Sequence, residues 1–257
     1  LALALAPDGR TVAALGQNFT LQVWDLVEPR LIVEFRAEPL GITALAFSPD
    51  GRTLATAAGT TSPATLEAVA VCLWDAATGR QVGKISVPYG RGAKDHYRVS
   101  ALAFSPDGRA LAAASTAPLG PPDAGGGPDD CHPVRVWDVS TGREVRPFPV
   151  EPGRLPASSD PRLTEGWGAG CVAFSPDGRT LAVGDVDNTV ALYEVATGRV
   201  RHRLRGHDGR VRSVAYSADG RLLVSAASDL TGLVWDLTSL EAEGIQERLD
   251  KNNLDAP

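Results

Sequence analysis

Five near-copies of one eleven-residue phrase constrain this chain more than any other feature: LALAPDGRTVA (3–13), LAFSPDGRTLA (45–55), LAFSPDGRALA (102–112), VAFSPDGRTLA (172–182) and VAYSADGRLLV (214–224). Each is followed by a second phrase: LQVWD (21–25), VCLWDAATGR (71–80), VRVWDVSTGR (134–143), VALYEVATGR (190–199) and GLVWDLTSLE (232–241). A unit copied at a fixed period is one supersecondary element repeated. Copies too small to bury both their faces alone must bury them against one another.

Each unit reads as a meander of four short strands, A to D. An apolar run such as ITALAF meets Ser-Pro-Asp-Gly, where proline presets the first turn dihedral and glycine takes the positive φ at the exit. The second run, RTLATAA, leads through a variable loop to the run that ends in Trp-Asp, and Thr-Gly-Arg turns the chain into a fourth strand. Strands A and B carry alanine and valine at nearly every position instead of strictly alternating with polar residues. That suits sheets covered on both faces by neighbouring sheets. The expected fold is all-β, with five such units, the last lacking a strand D of its own.

Composition narrows the function classes. The chain has 257 residues, 43% hydrophobic and 22% charged, which suits a globular protein with a substantial core. No apolar run approaches the roughly 18 residues of a membrane span, and the opening LALALA is too short for a signal peptide and lacks a basic flank. A net charge of −6 disfavours nucleic acid as the main partner. Cys72, Cys131 and Cys171 are odd in number and lack CxxC spacing, so they form neither a disulfide framework nor a zinc ribbon. A reducing, cytoplasmic setting follows. Methionine is absent even at position 1, so the numbering is expected to begin inside a longer or processed chain.

Trp-Asp ending strand C, Gly206-His207 ahead of the fifth strand A and a period of roughly 40 residues resemble the WD-repeat β-propellers. The resemblance covers residues 1 to about 240 and implies blades at about 1–36, 41–87, 99–149, 169–205 and 210–240. It also implies a larger, seven-bladed propeller in which a strand from before the first unit completes the last blade. The idiom FSPDGRTLA…WDxxTGR is similar to bacterial WD-repeat proteins, whose propeller often follows a signalling domain such as a protein kinase. Residues 241–257 form a polar tail, and a Thr238/Glu241 capping box gives it some helical character that Gly244 opposes. In the fifth unit His207, Ser225, Asp229 and Trp235 stand at the spacing of the family's structural hydrogen-bonded tetrad. The other units depart from it: Ala14, Asn18 and Trp24 in the first, Thr56 and Trp74 in the second, Ala113 and Trp137 in the third, Val183, Asp187 and Tyr193 in the fourth. A His-Ser-Asp set also resembles a hydrolase triad. A triad needs an exposed nucleophile and an oxyanion hole as well, so the set is read as structural and the protein as no enzyme.

The spacing between phrases locates the variable surface. Sixteen residues separate Asp8 from Trp24, Asp177 from Tyr193 and Asp219 from Trp235, against 24 from Asp50 to Trp74 and 30 from Asp107 to Trp137. From the Trp or Tyr to the next Asp-Gly the count is 26 twice, but 33 from Trp74 to Asp107 and 40 from Trp137 to Asp177. Every insertion falls in a B–C or D–A loop. In an antiparallel meander these loops share one end of the blade, opposite the SPDG and TGR turns. The loops are 60–68, 88–98, 117–133 and 151–168. They carry Tyr89, Arg91, Lys94, His96, Tyr97, Arg98, His132, Arg154 and Trp167, the aromatic and arginine anchors common in interfaces.

The reading is a non-catalytic scaffold that binds a partner protein through those loops. The alternative is a sensor propeller holding a small ligand or metal in its central channel. No cofactor is expected, since Asp129, Asp130, Cys131 and His132, with Asp123 and His96 in reach, lie in a Gly/Pro loop of a kind usually solvated, and adjacent ligands fit tetrahedral geometry poorly. The arginine run 199–212 is expected to put Arg199, Arg201, Arg203 and Arg205 on one side of the outermost strand of blade four. There charge discourages sheet-to-sheet aggregation and need not mark a nucleic-acid site.

Overall fold

The structure is a computed structural model that describes residues 2–16, 20–37, 41–58, 69–87, 98–117, 134–148, 167–185 and 187–239. These form five antiparallel sheets in chain order. Blade one is β1 (Leu3–Leu5), β2 (Thr11–Leu15), β3 (Thr20–Asp25) and β4 (Arg30–Arg36). Blade two is β5 (Ile42–Phe47), β6 (Thr53–Ala58), β7 (Val69–Asp75) and β8 (Gln81–Val87). Blade three is β9 (Arg98–Phe104), β10 (Ala110–Ala117), β11 (Val134–Asp138) and β12 (Glu144–Phe148), joined by the short β13 (Trp167–Gly168). Blade four is β14 (Cys171–Phe174), β15 (Thr180–Gly184), β16 (Val190–Glu194) and β17 (Val200–Leu204). Blade five has three strands among the described residues, β18 (Val211–Tyr216), β19 (Leu222–Ala227) and β20 (Gly232–Asp236).

Local chemistry writes each blade. In the second, Gly51 N–H donates to Ser48 C=O (2.9 Å) and Gly51 takes φ 69°, a type I turn with a left-handed exit. The Ser48 hydroxyl donates to Asp50 (2.5 Å) and accepts from Thr53 N–H (2.9 Å), which locks the turn from inside. The same bonds recur at Ser105, Ser175 and Ser217. At the other connection the Asp of Trp-Asp does the work. Asp75 Oδ1 accepts from Thr78 N–H (2.8 Å) and from the Thr78 hydroxyl (2.7 Å), and Asp138 does so with Thr141. These contacts are short-range, so each phrase folds its own turn.

Packing between blades supplies the core. Phe47, Leu54 and Trp74 of blade two pack with Ala13, Leu21 and Val23 of blade one, and equivalent clusters join blades two to three, three to four and four to five. The central leucines Leu54, Leu111, Leu181 and Leu223 are fully buried. Alanine at Ala13, Ala55, Ala112 and Ala182 lets each next sheet approach closely. The innermost strands are also stitched by hydroxyls: Thr43 donates to Val99 C=O (2.6 Å) and Ser100 to Ala169 C=O (2.7 Å), each across a blade boundary. Cys171 lies inside one of these junctions, where burial pushes its thiol up to about 11.

One local expectation is corrected. Strand β17 covers only Val200–Leu204, and a register shift opposite Leu192 and Tyr193 breaks its alternation, so the four arginines do not line one side. Arg203 turns inward onto Asp185 (2.8 Å), with both side chains about one-tenth exposed, while Arg201 pairs with Glu194 at the surface. Asp236 Oδ1 accepts from Thr238 N–H (2.9 Å) and from its hydroxyl (2.6 Å), and Glu241, the other half of the expected capping box, lies in residues 240–257, outside the described residues.

Candidate functional site

Blade three organises the loop-bearing end. Strand β10 runs beyond β11, which pairs with it only from Ala110 to Ala114. Its last residues are flanked by two others: Thr116 is in register with Arg98 of β9 and with Gly168 of β13, and Ala117 with Trp167. At the same end Val134 opens β11 opposite Ala114, and Phe148 closes β12 opposite Val134. The chain therefore enters or leaves segments 88–97, 118–133 and 149–166 at one corner of one sheet. In blade two, Ala58, Val69 and Val87 likewise sit together at the ends of β6, β7 and β8.

Of the residues singled out for binding, Arg98 and Trp167 are placed on strands β9 and β13 at this corner. Tyr89, Arg91, Lys94, His96, Tyr97, His132 and Arg154 lie outside the described residues, as do Asp123, Asp129, Asp130 and Cys131. Strand β13 has no signal in the sequence. Trp-Gly-Ala-Gly reads as loop, and only the overrun of β10 beyond β11 gives it a partner.

The fifth blade holds a buried polar chain. Trp235 Nε1–H donates to Ser225 Oγ (2.8 Å), and Ser225 Oγ lies 2.7 Å from His207 Nε2. On the other side of the ring, His207 Nδ1 is 2.9 Å from Thr231 Oγ1 and 3.3 Å from Asp229 Oδ2. Thr231 donates its own hydroxyl proton to Asp229 Oδ1 (2.7 Å). Donor counting then orders the chain: Trp235 gives to Ser225, Ser225 to His207 Nε2, His207 Nδ1–H to Thr231, and Thr231 to Asp229. The histidine tautomer with the proton on Nδ1 is assigned by that order. Asp229 also accepts from the backbone N–H groups of Asp208 (2.8 Å) and Gly209 (3.2 Å). The Thr231 hydroxyl first, with these amides, holds the Asp229 carboxyl far below the usual range. Sequence reasoning did not name Thr231, the nearer partner of the imidazole. A hydroxyl two residues beyond Asp229 was its only sign.

This cluster has no room for nucleophilic chemistry. Ser225 is 1% exposed and its oxygen already accepts from Trp235 Nε1–H, so the structure leaves no approach for a substrate to that hydroxyl. Other blades keep fragments of the arrangement. Trp74 Nε1–H donates to Thr56 Oγ1 (2.9 Å), whereas Trp24 turns to Gln22 (3.3 Å). No group of three or more His, Cys, Asp or Glu side chains able to hold a metal occurs among the described residues. No helix among them is long and apolar enough to cross a membrane.

Five register-equivalent antiparallel sheets, each packed face to face on the next through its innermost strands, define a β-propeller-type repeat protein. The family profile described as "WD domain, G-beta repeat" matches residues 30–61, 91–116 and 198–236, and that of the "Anaphase-promoting complex subunit 4 WD40 domain" matches residues 134–208. The chain belongs to the WD-repeat family.

Among its relatives, WD repeat-containing protein 1 of Xenopus tropicalis is 41% identical over 75 residues, 28% of this chain and 12% of that protein. The small ribosomal subunit protein RACK1y of Oryza sativa subsp. japonica is 41% identical over 75 residues, 28% of this chain and 22% of that protein. The WD repeat-containing protein SL1-17 of Schistosoma mansoni is 32% identical over 132 residues, 40% of this chain and 44% of that protein. The matched stretches thus span less than half the length of these relatives. All three are eukaryotic, which lends no support to the bacterial reading of the repeat idiom. WD-repeat proteins generally act as protein-interaction scaffolds and are typically non-catalytic.

Proposed function

We propose that this chain is a non-catalytic scaffold that binds a partner protein through the loop-bearing end of blades two to four. The observation that carries the reading is the convergence of Arg98, Ala117 and Trp167 at one corner of blade three. It brings the ends of three long segments together on a rigid sheet. Segments 88–98, 117–133 and 151–168, with 60–68 of blade two beside them, would present Tyr89, Arg91, Lys94, His96, Tyr97, Arg98, His132, Arg154 and Trp167 to the partner. The opposite end, built from the repeated SPDG and TGR turns, varies little between blades and offers less to distinguish one partner from another. A reducing, cytoplasmic setting fits the buried thiols of Cys72 and Cys171, which are not joined in a disulfide.

The test compares partners captured from cell extract by the intact chain with those captured after segments 88–98 and 151–168 are shortened to the two- to five-residue connections usual for hairpins. Loss of the specific partners, with the far-ultraviolet circular dichroism spectrum kept, supports the reading. An unchanged set of partners refutes it.

A further inference from the structure

Two internal junctions carry the same groove, at the end of the blades where the SPDG turns lie. The first, of about 430 Å³, runs between the turn of blade two and Phe104, Pro106 and Val139 of blade three. The second, of about 530 Å³, runs between the turn of blade three and Phe174, Pro176 and Val195 of blade four. Both volumes fall in the range of about 300–1,000 Å³ usual for small-ligand sites. Phe104, Pro106 and Val139 hold the places of Phe174, Pro176 and Val195 in the repeat, so the second groove is a copy of the first, one blade along. Each lies between two described blades, so neither depends on what adjoins blade one or blade five. A Cβ on Gly108 would lie 3.6 Å from Pro49 Cδ, and one on Gly178 3.5 Å from Pro106 Cδ. The proline of each turn therefore rests against the glycine of the next, which fixes the spacing of the grooves.

The floor of each groove is apolar and its rim is acidic. Asp50 and Asp107 border the first, and Asp107, Asp138 and Asp177 border the second, against one guanidinium, Arg109. Closing the turns uses one carboxylate oxygen. Asp107 Oδ1 accepts from the Ser105 hydroxyl (2.6 Å) and Arg109 N–H (3.0 Å), and Asp138 Oδ1 from the Ser140 hydroxyl (2.6 Å) and Thr141 N–H (2.8 Å). The two serine hydroxyls first, then these amides, hold both carboxyls below the usual range, so both are charged at neutral pH. Their Oδ2 atoms take no part in these bonds. Beside the second groove Val145, on the outermost strand β12, is 62% exposed.

We propose that the two grooves form a second docking surface, which takes lysine or arginine side chains from an extended basic segment of a partner protein. Such a side chain is alkyl along its length and cationic at its tip, so its stem lies on the phenylalanine, proline and valine floor while its head meets the carboxylates. An acidic segment would be repelled, and a purely apolar one would leave the charged rim unpaired. Two copies of one groove, held one blade apart, suit a segment in which basic residues recur. This surface lies opposite the loop-bearing end and does not rest on the function proposed for that end.

Fluorescence anisotropy of the 257-residue chain with a labelled synthetic peptide of alternating arginine and serine tests this. The wild type is expected to bind it. Glutamate in place of the arginines should abolish binding, and 2,4-diaminobutyrate, which keeps the charge but shortens the stem, should weaken it. Asp107→Asn keeps the acceptor of the turn and removes a charge that faces both grooves, so it should weaken binding about tenfold or more. Val145→Lys, at an exposed position, puts a cation beside the second groove alone and should weaken binding less than Asp107→Asn does. Asp208→Asn makes the same change of charge at an exposed position outside both grooves and should leave the affinity unaltered. A wild type that does not bind the peptide would overturn the proposal. So would equal affinity for the diaminobutyrate peptide, or equal weakening by Asp208→Asn and Asp107→Asn, since either would reduce the contact to general charge attraction. Unchanged affinity in Asp107→Asn and Val145→Lys, with the circular dichroism spectrum kept, would also overturn it.

Discussion

Replacing Ser225 by alanine removes one hydroxyl and strands two buried groups. The Trp235 indole N–H loses the acceptor at 2.8 Å, and His207 Nε2 loses the donor at 2.7 Å. Ser225 is 1% exposed, so water cannot take its place without opening the blade. Each orphaned group costs about 1–3 kcal/mol, and because the two share a site the sum is expected at about 2–4 kcal/mol. The loss should be local, because among the described residues blade five packs on blade four and stability in stacked repeats is set blade by blade and junction by junction. Amide hydrogen exchange therefore reads it better than a global melt. Amides of β18, β19 and β20 should exchange about 30-fold to several hundred-fold faster, at a factor of ten for each 1.4 kcal/mol, while β1 to β4 keep their rates. Thr56→Val in blade two supplies the internal scale, since it strands one group, Trp74 Nε1, and keeps the side-chain shape. It should cost about 1–3 kcal/mol and less than Ser225→Ala. Exchange in β18–β20 within threefold of wild type, or a larger effect from Thr56→Val, would show that the polar chain does not hold the blade together.

Tyr216 occupies the place of Phe47, Phe104 and Phe174, and its hydroxyl is buried with no hydrogen-bond partner among the described residues, in surroundings that push the phenol pKa upward. Tyr216→Phe should stabilise the protein by about 1 kcal/mol in urea denaturation, and a loss of stability would mean that the hydroxyl is satisfied. Asp25 accepts three bonds from the Arg10 guanidinium, and this pairing, followed by the Glu28 and Val27 backbone amides, brings its pKa down to about 2. Because the folded value is depressed, the stabilisation is complete above about pH 4 and is lost as pH falls through 2. The wild type should thus lose stability relative to Asp25→Asn across that interval, and parallel pH profiles would contradict the pairing. Gly9 and Gly79 both turn the chain at positive φ, but a Cβ on Gly9 meets nothing within 4 Å, whereas one on Gly79 falls 2.5 Å from the Phe35 ring. Gly9→Ala should cost about 1–2 kcal/mol of backbone strain and Gly79→Ala about 1–3 kcal/mol more from overpacking, as read from denaturation midpoints.

Much of the blade is written in short-range chemistry, and that part is readable in the chain. Ser-Pro-Asp-Gly closes its turn with bonds no more than five residues apart, and so does Trp-Asp with Thr-Gly-Arg. His207, Ser225, Asp229 and Trp235 were picked out by their spacing within one unit, whereas Thr231, 2.9 Å from His207, carries no such spacing signal. The arginines of 199–205 were misjudged for a related reason. A single register shift near Tyr193 undoes the alternation assumed for the whole run, and an ion pair with Asp185 draws Arg203 inward.

The sequence by itself determined that the chain is built of WD-repeat blades and which connections have lengthened, because repeats and turn chemistry are local and copied. Only the tertiary structure decided that β10 outruns its neighbour to gather Arg98, Gly168 and Trp167 at one corner. Only it revealed that Leu54, Leu111, Leu181 and Leu223 occupy the same fully buried place at four successive junctions. An apolar residue's letter records what it can bury; whether it is buried depends on the sheet that lies across from it.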